Sequence, residues 1–178
     1  MKIILVGYRA CGKTTVGRLV ARRLGLDFVD LDREIEASCG CSIRELVAAQ
    51  GWETFRARER ELLARSIGRE NLVLATGGGA ILHQEVWPRL MASGLVIWLD
   101  ASHETIVGRL QRDAATAGQR PSLTGAGVAE EVAAVLAVRT PLYQAGCHLR
   151  LDTDGLPVAA IVDRIVAVAS SWPAATVP

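Results

Sequence analysis

The sequence predicts an α/β protein with a parallel sheet covered by helices on both faces. Short apolar runs have the length of buried strands, and segments with helical spacing of apolar residues lie between them. Such alternation builds β-α-β units, whose strands are parallel and need helices on both faces. A chain of 178 residues suits one domain. The predicted strands are residues 3–6, 28–31, 72–75, 95–99 and 148–151.

Local end signals bound several of the intervening helices. Gly25 follows the first helical segment, where a C-terminal cap is expected. Ser42 and Glu45 fit a capping box that opens a short helix ending near Gly51. A long glycine-containing segment, 113–127, is predicted to be an irregular loop, which inside a compact domain is usually functional or disordered. The tail 172–178 is expected to fray. The other predicted helices cover residues 55–67, 102–110, 130–138 and 158–169.

Composition and charge limit the classes of binding partner and the cellular compartment that the sequence predicts. The formal net charge is +1, so no surface for nucleic acid or an anionic membrane is predicted. We expect no signal peptide, because the first apolar run is short and a glycine-rich turn follows it, and no apolar stretch is long enough to cross a bilayer, so we expect a cytoplasmic protein. Its cysteines are expected to be free thiols, because the C-x-C pair has no second pair at zinc-finger spacing; they are Cys11, Cys39, Cys41 and Cys147.

A phosphate-binding loop is predicted at the start of the chain. Gly7, Gly12, Lys13 and Thr14 match G-x-x-x-x-G-K-[ST], with a predicted strand before them and a helix after them. The backbone of such a loop forms an anion nest, and the helix adds its positive end. Lys13 is placed to reach β- and γ-phosphates, and Thr14 to ligate Mg²⁺. The pattern predicts a nucleoside triphosphate site; the alternative is a chance glycine-rich turn.

Motifs elsewhere favour a small phosphotransferase over a switch or a motor. The only asparagine, Asn71, precedes Leu72, so the guanine-reading pattern N-K-x-D is absent. Motors usually need a longer chain. A phosphotransferase of this size needs an acceptor site beside the γ-phosphate and a lid that excludes water.

The acceptor site is predicted where the second strand ends. Asp30 and Asp32 stand at strand spacing, which points both carboxylates to one side. One carboxylate would hold a hydrated Mg²⁺, and the other would accept a hydrogen bond and a proton from a substrate hydroxyl. The alternative is a solvated loop or a helix N-cap for residues 33–37.

Glycines and arginines complete the candidate site. Residues 77–79 form a triple glycine after the third strand, which favours a backbone pressed against a ligand or a tight turn. Arg56 and Glu59 are i,i+3 on a predicted helix, so Glu59 can fix the Arg56 guanidinium. Together with Arg139, Arg56 would suit a substrate carboxylate, although each arginine alone is more often a surface charge. In the irregular segment, Arg120 is placed to neutralise a transferring phosphoryl group as part of a lid.

The ordered set of segments resembles the shikimate kinase family over residues 1–163, and its type II branch in particular. The resemblance implies a P-loop three-layer αβα sandwich with a five-stranded parallel sheet in the order 2-3-1-4-5. It also implies one domain, with a substrate-binding segment at about 32–62 and a lid at about 112–125. The activity implied is phosphorylation of the 3-hydroxyl of shikimate by ATP with Mg²⁺, in aromatic amino-acid biosynthesis. The segments are GYRACGKTT, FVDLD, GWETFRARE, TGGG, QRPSLTG and RTPLY.

The resemblance also implies residue roles. Asp32 would be the base, assisted by Lys13 and Arg120, and Thr14 and Asp30 would hold Mg²⁺. Glu59 would orient Arg56, and the loop 152–155 would border the adenine pocket. Shikimate would be bound by Asp32, Arg56, Gly77, Gly78, Gly79 and Arg139. ATP would be bound by Gly7, Ala10, Cys11, Gly12, Lys13, Thr14, Thr15, Arg109 and Arg120.

Several alternatives stay open at the level of sequence. A gluconate-type kinase could use the same phosphate loop, and a nucleotide-binding regulator without catalysis is the alternative from another class. Whether quinate is phosphorylated as a side substrate also stays open. Cys11, inside the loop, is either an oxidation-sensitive point or a buried inert thiol. We expect a monomer whose partner is the small-molecule substrate.

Overall fold

The computed structural model describes residues 1–112 and 127–172, and it contains a five-stranded parallel sheet. The strand order is β2-β3-β1-β4-β5, and every neighbouring pair is parallel. The predicted architecture and strand order are therefore confirmed. Because all strands run the same way, their carboxyl ends share one edge, where ligands bind in open α/β sheets. The strands are β1 (Lys2–Val6), β2 (Asp27–Asp30), β3 (Leu72–Ala75), β4 (Leu95–Asp100) and β5 (Leu149–Asp152).

Helices cover both faces of this sheet. Alternate residues of β1 point to opposite faces: Ile3 lies in one core cluster with residues of the first and last helices, and Ile4 lies in another with Leu63 and Trp87. This is the expected three-layer sandwich. The described α-helices are α1 (Lys13–Leu24), α2 (Leu31–Cys39), α3 (Ile43–Ser66), α4 (Trp87–Ala92), α5 (His103–Arg112), α6 (Val128–Ala145) and α7 (Val158–Ser171), with a 3₁₀ turn at Ala80–Leu82.

The helix boundaries differ from the sequence prediction in instructive ways. The capping box at Ser42 and Glu45 is present, and Gly51 interrupts α3 with φ 81° and ψ 168°, so the predicted break is confirmed as a kink. The helix predicted at 130–138 is too short, since α6 continues through Pro141 to Ala145. The proline discouraged that extension because it lacks an N–H donor.

Two short elements were missed, and two predicted segments lie outside the described residues. The 3₁₀ turn Ala80–Leu82 and helix α4 are too short to show periodicity. Most of the predicted lid, and the tail beyond Trp172, lie outside the described ranges. In the part of the chain that the structure describes, no helix is long and apolar enough to span a membrane.

Candidate active site

The phosphate loop lies between β1 and α1, at the carboxyl edge of the sheet. Gly7 has φ 141°, and a Cβ there would overlap the carbonyl oxygen of Leu99, so only glycine fits. Lys13 is buried, and its Nζ donates to the carbonyl oxygens of Gly7 and Tyr8, both at 2.8 Å. The loop therefore holds a fixed positive charge at the start of α1, which suits an anion.

Cys11 is buried in this loop. It is 2% exposed and belongs to the core cluster on the α1 side of the sheet. Its Sγ lies 3.6 Å from Lys13 Nζ. The burial favours the inert-thiol interpretation over a reactive site. All four cysteines are free thiols.

Thr14 and Asp30 meet beside the loop. Thr14 Oγ1 donates to Asp30 Oδ2 at 2.7 Å, which joins the first turn of α1 to the end of β2. The two residues bring a hydroxyl and a carboxylate together, and such hard oxygens are what Mg²⁺ prefers when it keeps several waters. The donor set fits a divalent cation.

The strand-spacing interpretation of Asp30 and Asp32 is wrong. Asp30 is the last residue of β2, but Asp32 already lies in the first turn of α2. Asp30 Oδ1 accepts from the backbone N–H of Asp32 at 3.2 Å, so Asp30 is the N-cap of α2. The alternative of a helix cap therefore also holds, although the helix begins at Leu31 rather than Arg33. A cap explains why the strand pattern could not place Asp32.

The triple glycine brings the two arginines together. Arg139, from α6, donates from Nη1 to the carbonyl oxygen of Gly78 at 2.9 Å. Arg56, from α3, packs so closely on Gly79 that a Cβ there would overlap its guanidinium group. Since Gly78 and Gly79 are consecutive, the two guanidinium groups approach the same turn, with Gly77 at its start. The side chains of Arg56 and Arg139, which are 83 residues apart in sequence, thus meet at the glycine turn.

Glu59 supports Arg56 from a buried position. Its side chain is fully buried and forms an ion pair with Arg56, as the i,i+3 spacing predicts. His83 Nε2 lies 3.0 Å from the same carboxylate oxygen, Oε2. Burial by itself raises the pKa of Glu59, but the hydrogen bond with His83 and the charge and hydrogen bond of Arg56 outweigh it, so the pKa is lowered. Glu59 is therefore an ionised partner for both groups.

Tyr143 is a further site residue, and no sequence motif predicted a role for it. Its hydroxyl donates to the carbonyl oxygen of Gly78 at 2.6 Å, beside the bond from Arg139. The two residues are i,i+4 on α6 and so share one face, which was a usable signal. Burial raises the pKa of the Tyr143 phenol, which keeps it a donor.

An ion pair between Arg9 and Glu131 was also missed. Arg9 lies in the phosphate loop and Glu131 in the first turn of α6, where its side chain is 2% exposed. The pair connects the loop to the helix that carries Arg139. No local pattern predicts a contact between residues 122 positions apart.

The far side of the loop faces α5 and the end of β5. Arg109 Nη1 donates to the carbonyl oxygen of Ala10 at 3.2 Å, which places Arg109 against the phosphate loop. The predicted loop after β5 meets the start of α5, because the backbone N–H of Ser102 donates to Asp154 Oδ2 at 3.0 Å. Thr15 is exposed in the first turn of α1. Arg120 and the rest of the segment 119–125 lie outside the described residues.

The fold and the site define the class of protein first. A phosphate loop, a neighbouring hydroxyl–carboxylate pair and two converging arginines at one sheet edge are the parts of a small-molecule P-loop kinase.

Comparison with known proteins gives the particular family: the chain belongs to the shikimate kinase family, whose model matches residues 9–170. It is 44% identical over 167 residues to the shikimate kinase of Nitratidesulfovibrio vulgaris, covering 94% of each chain. It is 43% identical over 166 residues to that of Symbiobacterium thermophilum, covering 93% of this chain and 94% of the relative. It also superposes on the shikimate kinase of Acinetobacter baumannii in complex with shikimate, with TM-score 0.88, 35% identity and coverage of 96% and 93%.

Proposed function

We propose that this protein transfers the γ-phosphoryl group of ATP to the 3-hydroxyl of shikimate in aromatic amino-acid biosynthesis. The observation that carries the proposal is the approach of Arg56 and Arg139 to consecutive glycines beside the phosphate loop. Two guanidinium forks at one turn suit a single carboxylate, and shikimate is a ring acid. Membership of the shikimate kinase family supports the same substrate.

Binding of ATP is assigned to the phosphate loop. Gly7, Ala10, Cys11 and Gly12 supply its backbone, with Thr14 and Thr15 in the first turn of α1. Lys13 supplies a fixed positive charge for the β- and γ-phosphates. Arg109 contacts the loop and would stack on the adenine, and Arg120 would act from the lid. Thr14 and Asp30 would hold Mg²⁺, which neutralises phosphate charge when bound.

Shikimate is assigned to the opposite wall of the site. Arg56 and Arg139 would bind its carboxylate, with backbone groups of Gly77, Gly78 and Gly79 alongside. Asp32, at the start of α2, would accept the proton of the attacking hydroxyl. Because the phosphoryl transition state is loose, alignment of the hydroxyl and neutralisation of charge would supply most of the rate enhancement.

The proposal includes the organisation of the enzyme. One chain carries the phosphate loop and both arginines, so a monomer with a single domain can complete the site. The substrate-binding segment of about 32–62 corresponds to α2 and most of α3. Free thiols suit a reducing, cytoplasmic compartment.

A coupled assay of ADP release tests the proposal. The purified protein is given ATP and Mg²⁺ with shikimate, quinate or gluconate in separate reactions. We expect saturable turnover with shikimate and much weaker turnover with gluconate, because a rigid ring holds the reacting hydroxyl at a fixed distance from the carboxylate, whereas the open chain of gluconate does not. Equal turnover with gluconate, or ADP release that is independent of any acid, would overturn it.

A further inference from the structure

One carboxylate oxygen of Glu59 accepts hydrogen bonds from two donors. Arg56 Nη1 and His83 Nε2 both contact Oε2, while Oε1 is buried without a hydrogen-bond partner among the described residues. Because Glu59 is ionised, the Nε2 atom of His83 must carry a hydrogen and donate it. Within the described part of the chain, two hydrogen bonds therefore set the orientation of this carboxylate.

His83 is held rigidly by the turn that follows the triple glycine. Its backbone N–H donates to Ala80 at 3.2 Å, and its carbonyl oxygen accepts from the N–H of Trp87 at 2.9 Å, at the start of α4. The side chain of His83 is 10% exposed. His83 is thus a fixed point on the same backbone segment as Gly79, four residues earlier.

The contacts form a closed circuit. Gly79 leads through the 3₁₀ turn to His83, His83 contacts Glu59, Glu59 pairs with Arg56, and Arg56 packs back on Gly79. Two elements that are separate in sequence, α3 and the glycine turn, are therefore tied together beside the candidate substrate site.

We propose that His83 is a positioning residue for substrate binding, acting through Glu59 on Arg56. The His83 N–H orients the Glu59 carboxylate and stabilises part of its negative charge. Arg56 therefore stays aligned on Gly79, with N–H groups left to donate to the substrate. Without His83, Arg56 is the one hydrogen-bond partner that the buried carboxylate keeps among the described residues, and the carboxylate draws Arg56 away from that alignment. This inference rests on the proposed function.

Steady-state kinetics of paired variants test the role. His83→Leu removes the donor and keeps apolar bulk, whereas His83→Gln can place an amide N–H near the position of Nε2. We expect His83→Leu to raise the KM for shikimate about tenfold, as loss of one charged hydrogen bond implies. The KM for ATP is expected to change less than about twofold on the same scale, and His83→Gln should recover most of the shikimate affinity. If His83→Leu does not fold, His83→Asn, whose amide is too short to reach Oε2, takes its place.

His148→Leu is the matched control. His148 Nδ1 accepts from the backbone N–H of Val96 at 3.0 Å, at the amino end of β4 and away from the site. Its loss should lower stability without moving the KM for shikimate.

A double-mutant cycle separates positioning from general damage. If His83 acts through Arg56, His83→Leu should have no further effect on shikimate KM in an Arg56→Ala background. Additive effects, equal changes in both KM values, or a shikimate KM like that of the wild type would overturn the inference. Failure of the wild-type protein to phosphorylate shikimate would instead overturn the proposed function.

Discussion

Arg139 donates a hydrogen bond from Nη1 to the carbonyl oxygen of Gly78 at 2.9 Å, although the two residues lie 61 positions apart in the chain. The same oxygen accepts from Tyr143 at 2.6 Å. Loss of the arginine side chain therefore leaves the Gly78 carbonyl with a partner, and the glycine turn can keep its place. This makes Arg139 a suitable position for separating binding from folding.

Arg139→Ala should weaken shikimate binding and leave ATP binding nearly intact. A charged hydrogen bond is worth about 1.5–3 kcal/mol, so the KM for shikimate should rise roughly tenfold to a hundredfold. Steady-state kinetics with each substrate varied in turn measure the effect. Arg23→Ala, which breaks an exposed pair with Asp163, is the control. Equal loss of affinity for both substrates would point to misfolding instead.

Asp32→Asn should reduce turnover sharply, because the amide cannot take the proton of the attacking hydroxyl. General-base catalysis contributes roughly a hundredfold to ten-thousandfold, and a loss in kcat of that order is expected. The change does not affect the hydrogen bond that the backbone N–H of Asp32 donates to the Asp30 carboxylate. Asp27→Asn, at the exposed start of β2, is the matched control. A kcat near that of the wild type would remove Asp32 from the role of base.

Asp30 has two separable duties, as a cap of α2 and as a proposed Mg²⁺ ligand. Asp30→Ala should lose both, lowering the free energy of unfolding by about 1 kcal/mol and raising the Mg²⁺ concentration needed for half-maximal rate. Asp30→Ser should keep most of the cap but still need more Mg²⁺. Chemical denaturation and Mg²⁺ titration of the rate measure the two effects. If both variants show the wild-type Mg²⁺ requirement, Asp30 is a cap and no ligand.

The pKa of Glu59 links stability to pH. It is lowered from the ordinary value of 4.5, so below that pH the unfolded chain binds a proton more readily than the folded one. The stabilisation that the ionised Glu59 contributes is full above pH 4.5, and it is lost as the pH falls through the lower pKa that Glu59 has in the folded state. The free energy of unfolding of the wild type should therefore fall more steeply with acidification than that of Glu59→Gln. Urea denaturation of both proteins at pH 7 and pH 4 measures the difference. An equal loss in the free energy of unfolding for the wild type and for Glu59→Gln would contradict the assignment.

The sequence predicted the elements whose signals are local. The phosphate loop follows from glycine spacing and its flanks, and the capping box at Ser42 follows from two residues three apart. The pairing of Arg56 with Glu59 was predicted for the same reason, since i,i+3 neighbours must meet on a helix. Asp32 was misplaced because a strand period was extended across the start of a helix.

What the sequence by itself determined is the chemistry available: a nest for phosphate, hard oxygens for a cation, and arginines for a carboxylate. Which of these side chains meet was decided by the tertiary structure. The approach of Arg139 to Gly78, the sharing of Glu59 with His83, and the pair between Arg9 and Glu131 all join distant segments. They depend on how helices pack over the sheet, and no spacing along the chain encodes that packing.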